Sequence, residues 1–382
     1  MTTKEKDVKT NVLPHTQAKL DLYKGYLEHY LRVLCNAPFC KQINIFDIYC
    51  GAGIYDDGKK GSPLLTIDCI RNVREKMADN GNPITSISLL VNDYDVQKLE
   101  NVKKNTNIQG IEKFTIEYSN QDANKMLEIV SIRISEYPKD HRNLIFIDPY
   151  GYSNINKEKI ANLIKNNCTE IVLFLPVNQM YRFTEIAFLD EERPHYEKLR
   201  QFIVSFFDNP LNINAKSIFD YIHSIKEALS IDNTYYTCSH YIEREKGNYY
   251  AIFFITSNIY GLEKMIETKW KLDPVKGKGF QQSDDSKQLS MFDDEIKEID
   301  YKREITYFES LIYGAIKRSG ILSNIELYEL TLKNEFLPKH ANSVLKNLLK
   351  SNKVREIYNS KGFGIDYTNY RGKIIYSKFE VI

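Results

Sequence analysis

The chain of 382 residues is 42% hydrophobic and 27% charged, which is the composition of a soluble globular protein with a large core and, at this length, two domains. Its formal net charge of +1 provides no global field to recruit nucleic acid, so any such binding must depend on local patches. The six cysteines form no C-x-x-C pair, which argues against a zinc site, and the lack of a signal peptide or of an apolar run of about 18 residues predicts reduced thiols in a cytoplasmic protein.

The first motif is a strand followed by a glycine turn. An amphipathic helix predicted over 15–34 leads into residues 43–55, which read I-N-I-F-D-I-Y-C-G-A-G-I-Y. Glycine lets a backbone approach a ligand closely, and the first βα turn of nucleotide-binding sheets uses it in this way. Asp56 replaces the third glycine of G-x-G-x-x-G, so an ordinary tight turn is the alternative. The candidate cofactor-binding residues of this turn are Asp47, Tyr49, Gly51 and Gly53.

Two further strands each end at an acid. The strand predicted over 87–91 is followed by Asp93, at the position where nucleotide-binding sheets hold ribose hydroxyls, with Asp95 as the second choice. The strand predicted over 114–118 is followed by Asp122, which we place near an adenine edge. These acids continue the pattern of a cofactor site along one sheet edge.

The stretch Asn143–Gly151, N-L-I-F-I-D-P-Y-G, organises the rest of the chain. Leu144–Ile147 reads as a strand buried on both faces, and Asp148, Pro149 and Tyr150 end it abruptly. Open α/β sheets build active sites at the carboxyl ends of central strands. The alternative is that Asp148 only caps a turn and Pro149 only ends the strand.

The following segments complete the alternation of strands and helices. A helix over 156–167 and a strand over 171–175 predict a parallel sheet with right-handed crossovers. Helical periodicity over about 178–232 predicts an insert that either packs on the core or caps a substrate pocket. Strands over 235–242 and 249–256, joined by a tight turn, end the sheet.

The C-terminal region differs from the rest in charge. Residues 281–302 are polar and acidic and read as a linker, whereas residues 301–382 contain 14 Lys and Arg against 8 Asp and Glu. The order of elements over 303–382 is helix, helix, helix, strand, strand, which is typical of a winged helix-turn-helix module. Its third helix would present His340, Asn342, Lys346 and Lys350 to nucleic acid. A packing or dimerisation domain is the alternative.

The acids and the D-P-Y corner together resemble a class I S-adenosylmethionine (SAM) methyltransferase, and the chain resembles more closely the three-Cys-motif partner (TcmP) family of bacterial methyltransferase-like proteins. The resemblance covers most of the chain. The matching pieces are His15-Thr16 with Lys19, F-D-I-Y-C-G-A-G-I-Y with G-S-P, I-D-P-Y-G, Gly261–Met265, Trp270–Pro274 and Gly279-Phe280. The resemblance implies a Rossmann-like methyltransferase domain over 1–280 and SAM as cofactor. It also implies a three-cysteine protein as a partner.

The D-P-Y-G corner favours methylation of an exocyclic amine. Such an amine is a poor nucleophile, and acceptors that bind its two hydrogens favour its nucleophilic form as charge develops. Asp148 would supply a carboxylate, Pro149 a carbonyl oxygen and Tyr150 a ring that stacks on a flipped base. A second proline of the amino-methyltransferase pattern is missing, and Gly151 makes the corner similar to that of tRNA guanine-N2 dimethyltransferases.

The sequence therefore predicts a methyltransferase that acts on an exocyclic amine of a DNA or RNA base, with no metal. The competing hypothesis is an inactive methyltransferase-like scaffold that binds the three-cysteine partner, nucleic acid or both. The irregular glycine turn is the feature that favours this second hypothesis.

Overall fold

The computed structural model describes residues 12–77, 84–152, 155–189, 194–207, 215–281, 293–359 and 364–382. These residues form two compact units. The first unit holds the described residues up to Ser257 together with Phe280 and Gln281, and the second holds Asn258–Gly279 and the described residues from 293 onward. The observed division lies at Ser257, whereas the sequence placed the domain boundary at residue 280.

The first unit is an α/β structure with a large, mostly parallel sheet. Its helices and strands, in chain order, are α1 (Pro14–Cys35), β1 (Gln42–Asp47), α2 (Ser62–Met77), β2 (Ser86–Asn92), α3 (Val96–Asn105), β3 (Phe114–Ser119), α4 (Ala123–Glu136), β4 (His141–Ile147), α5 (Lys157–Ile164), β5 (Thr169–Leu175), α6 (Val177–Leu189), a 3₁₀ turn (Pro194–Tyr196), α7 (Glu197–Phe206), α8 (Ile218–Leu229), β6 (Tyr236–Glu245) and β7 (Asn248–Thr256). With the two-residue strand β8 (Gly279–Phe280), the order across the sheet is β3-β2-β1-β4-β5-β7-β6-β8.

The predicted parallel sheet is confirmed. Strands β1 to β5 pair in parallel, whereas β7 runs antiparallel to both β5 and β6. Every residue of β5 is buried, and so are the last five residues of β4, as continuous apolar runs between two helical layers require. The strand order reverses between β1 and β4, and open α/β sheets bind ligands at the carboxyl ends of the strands beside this point.

The predicted helical insert is present as α6, α7 and α8. Its apolar faces join the main core, with the Phe202 and Phe206 rings stacked 4.3 Å apart and Tyr221 fully buried. Tyr152, two residues beyond the D-P-Y corner, meets the Phe202 ring edge-on at 5.5 Å. The insert is thus part of the core and also reaches the loop that follows β4.

The second unit begins with α9 (Ile259–Leu272). The remaining elements are α10 (Asp293–Ser319), β9 (Ile321–Ser323), α11 (Asn324–Lys333), α12 (Pro338–Lys350), β10 (Val354–Asn359), α13 (Tyr367–Gly372) and β11 (Ser377–Val381). Antiparallel pairs join β10, β11 and β9 into a small sheet.

The predicted linker is only partly observable, and its described part is a correction. Residues 282–292 lie outside the described ranges, but residues 293–302 form the first turns of α10 rather than a linker. The segment is rich in good helix formers, and Lys302 pairs with Glu298 one turn earlier at 2.6 Å. Acidic composition alone therefore gave the wrong assignment, because acidic side chains are as well solvated on an exposed helix as they are in a linker.

The core of the second unit is built on rings and one buried ion pair. The Phe308 and Phe336 rings stack 4.0 Å apart, and Lys269, which is fully buried, pairs with Glu335. The Trp270 indole donates to the Glu335 carbonyl at 2.9 Å. Gly277, at φ +63°, lies against that indole, where a Cβ would come within 2.5 Å of the ring. These contacts give Trp270, the first residue of the W-K-L-D-P segment, a structural role.

None of the helices within the described ranges combines the length and the apolar character that crossing a bilayer requires. All six cysteines are free thiols, five of them buried and Cys168 half-buried.

Candidate functional site

The glycine turn after β1 lies at the strand-order reversal. Gly51 has φ +64°, a left-handed conformation that favours glycine, and a Cβ there would meet no atom within 4 Å. Gly53 has φ +76°, and a Cβ there would come within 2.7 Å of the Val102 side chain. The two glycines therefore differ in role: Gly51 leaves its backbone open to a ligand, and Gly53 lets the turn pack on α3.

Asp47, the last residue of β1, is buried and only half satisfied. Its Oδ2 accepts a hydrogen bond from the Ser62 hydroxyl at 2.6 Å, while its Oδ1 has no hydrogen-bond partner among the described residues. Burial raises the pKa of Asp47 to about 7; Ser62 opposes this shift, and the charges of Asp148 and Asp93 add to it. An unpartnered, buried carboxylate oxygen beside an open glycine turn fits an amino group of a ligand.

Asp148, at the carboxyl end of β4, is held by a lysine of the first helix. Lys19 of α1 forms an ion pair with its Oδ2, and the ammonium lies 4.7 Å from the centre of the Phe174 ring. Asp148 Oδ1 has no partner among the described residues. Lys19 is among the residues that carry the resemblance to the TcmP family, but its sequence context predicts no role for it. A charged, partly buried pair of this kind fixes the direction of the Asp148 carboxylate.

Pro149 and Tyr150, which follow Asp148 in the corner, differ in their exposure to solvent. Pro149 is buried, whereas Tyr150 is 74% exposed. The Tyr150 hydroxyl accepts from Lys98 Nζ at 2.5 Å, and that ammonium also lies 4.7 Å from the ring centre. Tyr55, from the glycine turn, lies near Asp148 and Lys19; its pKa is raised mainly by burial. One exposed ring and one half-buried ring thus flank the carboxylate.

The acids that follow β2 and β3 accept hydrogen bonds from backbone N–H groups. Asp93 is buried; its Oδ2 accepts from the Gly51 N–H at 3.0 Å and its Oδ1 from the Asp95 N–H at 2.9 Å. Asp95 caps α3 and Asp122 caps α4, and both accept from backbone N–H groups. Of the three, Asp93 is therefore the one joined directly to the glycine turn.

Asn92 is a positioning residue that the sequence analysis missed. Its side-chain amide donates to the carbonyls of Ile48 and Gln121, each at 3.1 Å, and its carbonyl accepts from the Gln121 N–H. It therefore fastens the loops after β1, β2 and β3 together. The signal was present in N-D-Y-D, but an asparagine at a strand end carries no chemistry of its own by which to single it out.

The residues predicted to contact nucleic acid lie on α12 of the second unit. Lys346 and Lys350 are exposed and Asn342 is half-buried, but His340 is buried, which corrects its assignment to the polar face. The His340 ring meets the Trp270 ring edge-on at 4.3 Å, and its Nδ1 accepts from the Leu337 N–H. Burial lowers the pKa of His340 to about 4, so the ring is neutral at physiological pH.

The exposed face of α12 is cationic. Lys339, Ser343, Lys346 and Lys350 are exposed at helical spacings of four, three and four residues, so they share one face. The helix contains no acidic residue. In a winged helix-turn-helix module the wing would lie between β10 and β11; residues 360–363 of that segment lie outside the described ranges, and Tyr367–Gly372 form α13.

No family model matches the chain, and no curated protein matches it. Solved structures do match. One, assigned as an O-methyltransferase from Klebsiella pneumoniae, is 12% identical, with 65% of this chain and 83% of that chain covered and a TM-score of 0.32. Loganic acid methyltransferase with SAH is 9% identical, with 81% and 93% covered and a TM-score of 0.33. At these TM-scores neither likeness carries an argument, so fold and function rest on the chain's own residues.

Within the described residues, no group of three or more His, Cys, Asp or Glu side chains is placed to hold a metal ion. The site at the sheet edge consists instead of an open glycine turn, a half-satisfied buried carboxylate and a lysine-held carboxylate. The charges of Asp148, Asp93 and Lys19 all act on Asp47, which places these groups in one cluster.

Proposed function

We propose that the protein is a SAM-dependent methyltransferase that acts on an exocyclic amine of a nucleic-acid base. The observation that carries the proposal is the position of the lysine-held Asp148, which lies at the strand-order reversal beside the open turn of Gly51. In an α/β sheet this is where a cofactor and a second substrate can meet.

The residues around β1 fit SAM. Asp47 Oδ1 would accept from its amino group, Gly51 would leave room for it at the backbone, and Asp93 would bind its ribose hydroxyls through the lone pairs that its backbone bonds leave unused. Asp122 and Tyr49 would lie farther along the cofactor. When bound, SAM supplies an electrophilic methyl group.

The corner after β4 provides for the other substrate. Asp148 Oδ1 would accept a hydrogen bond from one N–H group of the target amine. The Pro149 carbonyl oxygen would accept a hydrogen bond from the other N–H group. Lys19 holds the carboxylate through its Oδ2 and does not occupy Oδ1. These two acceptors would orient the amine lone pair for methyl transfer and would stabilise the positive charge that develops on nitrogen. The exposed Tyr150 ring would stack on the base.

Calorimetric titration with SAM, followed by transfer from labelled SAM to DNA and RNA, tests the proposal. Binding together with base labelling is the expected result. Absence of SAM binding would instead favour the inactive scaffold for a three-cysteine partner.

Asp93 provides a sharper test of the cofactor half. We expect Asp93→Ala to weaken SAM binding by roughly 1.5–3 kcal/mol, the range for a hydrogen bond to a charged group, and the loss of its bond to the Gly51 N–H adds to the effect. Asp95→Ala is the matched control, because it should cost about 1 kcal/mol of stability as a lost helix cap and leave SAM binding unchanged. Unchanged SAM affinity in both variants would remove the assignment.

We further propose that the second unit is a winged helix-turn-helix module that contacts nucleic acid through α12. Three observations support this: the sequence of helices and strands from α10 to β11, the small antiparallel sheet, and the lysine face of α12. Asn324, the first residue of α11, connects that helix to the chain before and after α13. Its side chain donates to the carbonyls of Gly364 and Ile374 and accepts from the Tyr376 N–H.

The lysine face predicts a salt effect. Lys346→Gln with Lys350→Gln should flatten the slope of log affinity against log salt by about 1.8 on duplex DNA, because each phosphate contact contributes about 0.9. Lys333→Gln on α11, whose ammonium is already paired with Glu329 at 3.0 Å, is the control and should leave the slope unchanged. Fluorescence anisotropy at several salt concentrations measures both. Equal slopes in all three proteins would assign α12 to a protein partner.

A further inference from the structure

A cavity of about 420 Å³ lies in the first unit, beyond the D-P-Y-G corner. It is lined by Asn178, Gln179, Arg182, Phe183, Lys246 and Asn248. Two of these side chains are cationic, three are amides and one is a ring; none carries a carboxylate. Its volume is within the range of small-ligand pockets.

The cavity opens on the same edge of the sheet as the proposed site. Helix α6 begins two residues after β5 ends, and β5 neighbours β4, so Asn178 and Gln179 stand at the carboxyl end of the strand beside Asp148. Because β7 runs antiparallel to β5, the turn before it brings Lys246 and Asn248 to that edge too.

One pair of stacked rings and Lys19 connect the cavity wall to Asp148. Asn248 and Tyr250 are two residues apart on β7 and therefore point to the same face. The Tyr250 ring stacks on Phe174 at 5.2 Å, and Lys19, the partner of Asp148, lies over the Phe174 ring at 4.7 Å. The cavity and the corner are thus connected through one chain of side-chain contacts.

The polar groups of the cavity are arranged for an anion. Arg182 and Lys246 are exposed, and among the described residues no carboxylate pairs with either. Asn178, which is buried, donates to the Asn248 side chain at 3.3 Å, and this bond fixes both amides at the cavity wall. The first turn of the thirteen-residue helix α6 adds N–H groups and the positive end of its dipole. Together these groups form a site of net positive charge.

We infer that this cavity is a subsite for a phosphate group of the methyl-accepting substrate. Arg182 offers paired donors to two phosphate oxygens, Lys246 a second positive charge and Gln179 an amide donor. Phe183, 40% exposed, supplies an apolar wall for a neighbouring sugar or base. The inference rests on the proposed function for the substrate that carries the phosphate, which is a nucleic-acid backbone next to the target base or a small phosphorylated molecule.

The test compares the full-length protein with Arg182→Gln/Lys246→Gln. The control is Lys104→Gln/Lys125→Gln, which removes the same charge at exposed lysines of α3 and α4 outside the cavity. The probes are inorganic phosphate, followed by ³¹P NMR, and a labelled single-stranded oligonucleotide, followed by anisotropy over a salt series. Circular dichroism verifies that each variant is folded.

In the double cavity variant we expect phosphate binding to be lost and oligonucleotide affinity to fall about 10- to 100-fold at low salt. The salt slope should flatten by about 0.7–1.4, corresponding to one or two phosphate contacts on a single strand. The control should match the unmodified protein.

The two probes distinguish the two possible substrates. If phosphate binding is lost in the variant but the unmodified protein binds no oligonucleotide, the subsite is supported with a small phosphorylated substrate and the nucleic-acid substrate is rejected. Equal binding by the cavity variant and the control, or no phosphate binding by the unmodified protein, overturns the inference even where methyl transfer is observed.

Discussion

Asp148→Ala should lower the turnover of methyl transfer by about 10²–10³ and leave SAM binding intact. The factor is comparable to the removal of one preorganised hydrogen-bonding group from an oxyanion hole. The structural reason is that Asp148 presents one oxygen to Lys19 and leaves the other for the target amine. Single-turnover kinetics with the methyl-accepting substrate measure the rate of transfer, and calorimetric titration measures the affinity for SAM.

Asp148→Asn separates a catalytic role from a structural one. Asparagine still presents a carbonyl oxygen, so part of the activity should remain. If Asp148 only capped a turn, Asp148→Asn would be nearly silent and Asp148→Ala would lower stability rather than turnover. Because alanine also breaks the ion pair, Lys19→Met serves as a second control: it removes that pair but keeps the Asp148 acceptor. Full methylation by folded Asp148→Ala protein would exclude the mechanism.

The elements that place the site were readable from the sequence because each has a strong local cause. Continuous apolar runs predicted β4 and β5, and the acid, proline and aromatic after Ile147 marked where β4 ends. Paired glycines after Asp47 predicted the turn that the structure shows at positive φ. What local patterns did not provide was the strand order, which alone brings the ends of β1 and β4 side by side.

Long-range partners account for most of what the sequence left out. Lys19 and Asp148 are 129 residues apart, and no periodicity connects them. His340 has the polarity of a surface residue, yet Trp270 of α9 covers it, because α9 belongs to the second unit. Composition also misled: acidic residues from 293 onward form the first turns of α10.

Asp47→Asn should stabilise the protein above neutral pH while weakening SAM binding. Burial raises the pKa of Asp47 from 3.8 to about 7, so the folded state holds a proton that the unfolded chain has lost. Stability therefore falls as pH rises from about 3.8 to about 7, and above that range the folded protein carries a buried charge at a cost of roughly 4 kcal/mol. Asparagine keeps an acceptor for Ser62 and removes the charge.

The two effects of this substitution have opposite signs, which makes them diagnostic. Urea unfolding at about pH 8.5 should show the variant as the more stable protein, and at about pH 4 the difference should vanish, since both side chains are then neutral. SAM affinity of the unmodified protein should rise with pH through about 7, because only the ionised Asp47 attracts the cofactor's amino group. In Asp47→Asn that rise should be absent, and the affinity for SAM at high pH should be lower by about tenfold or more.

A variant that is no more stable at high pH would show that Asp47 ionises without a burial cost. SAM binding with an unchanged pH dependence would show that its unpartnered oxygen does not face the cofactor.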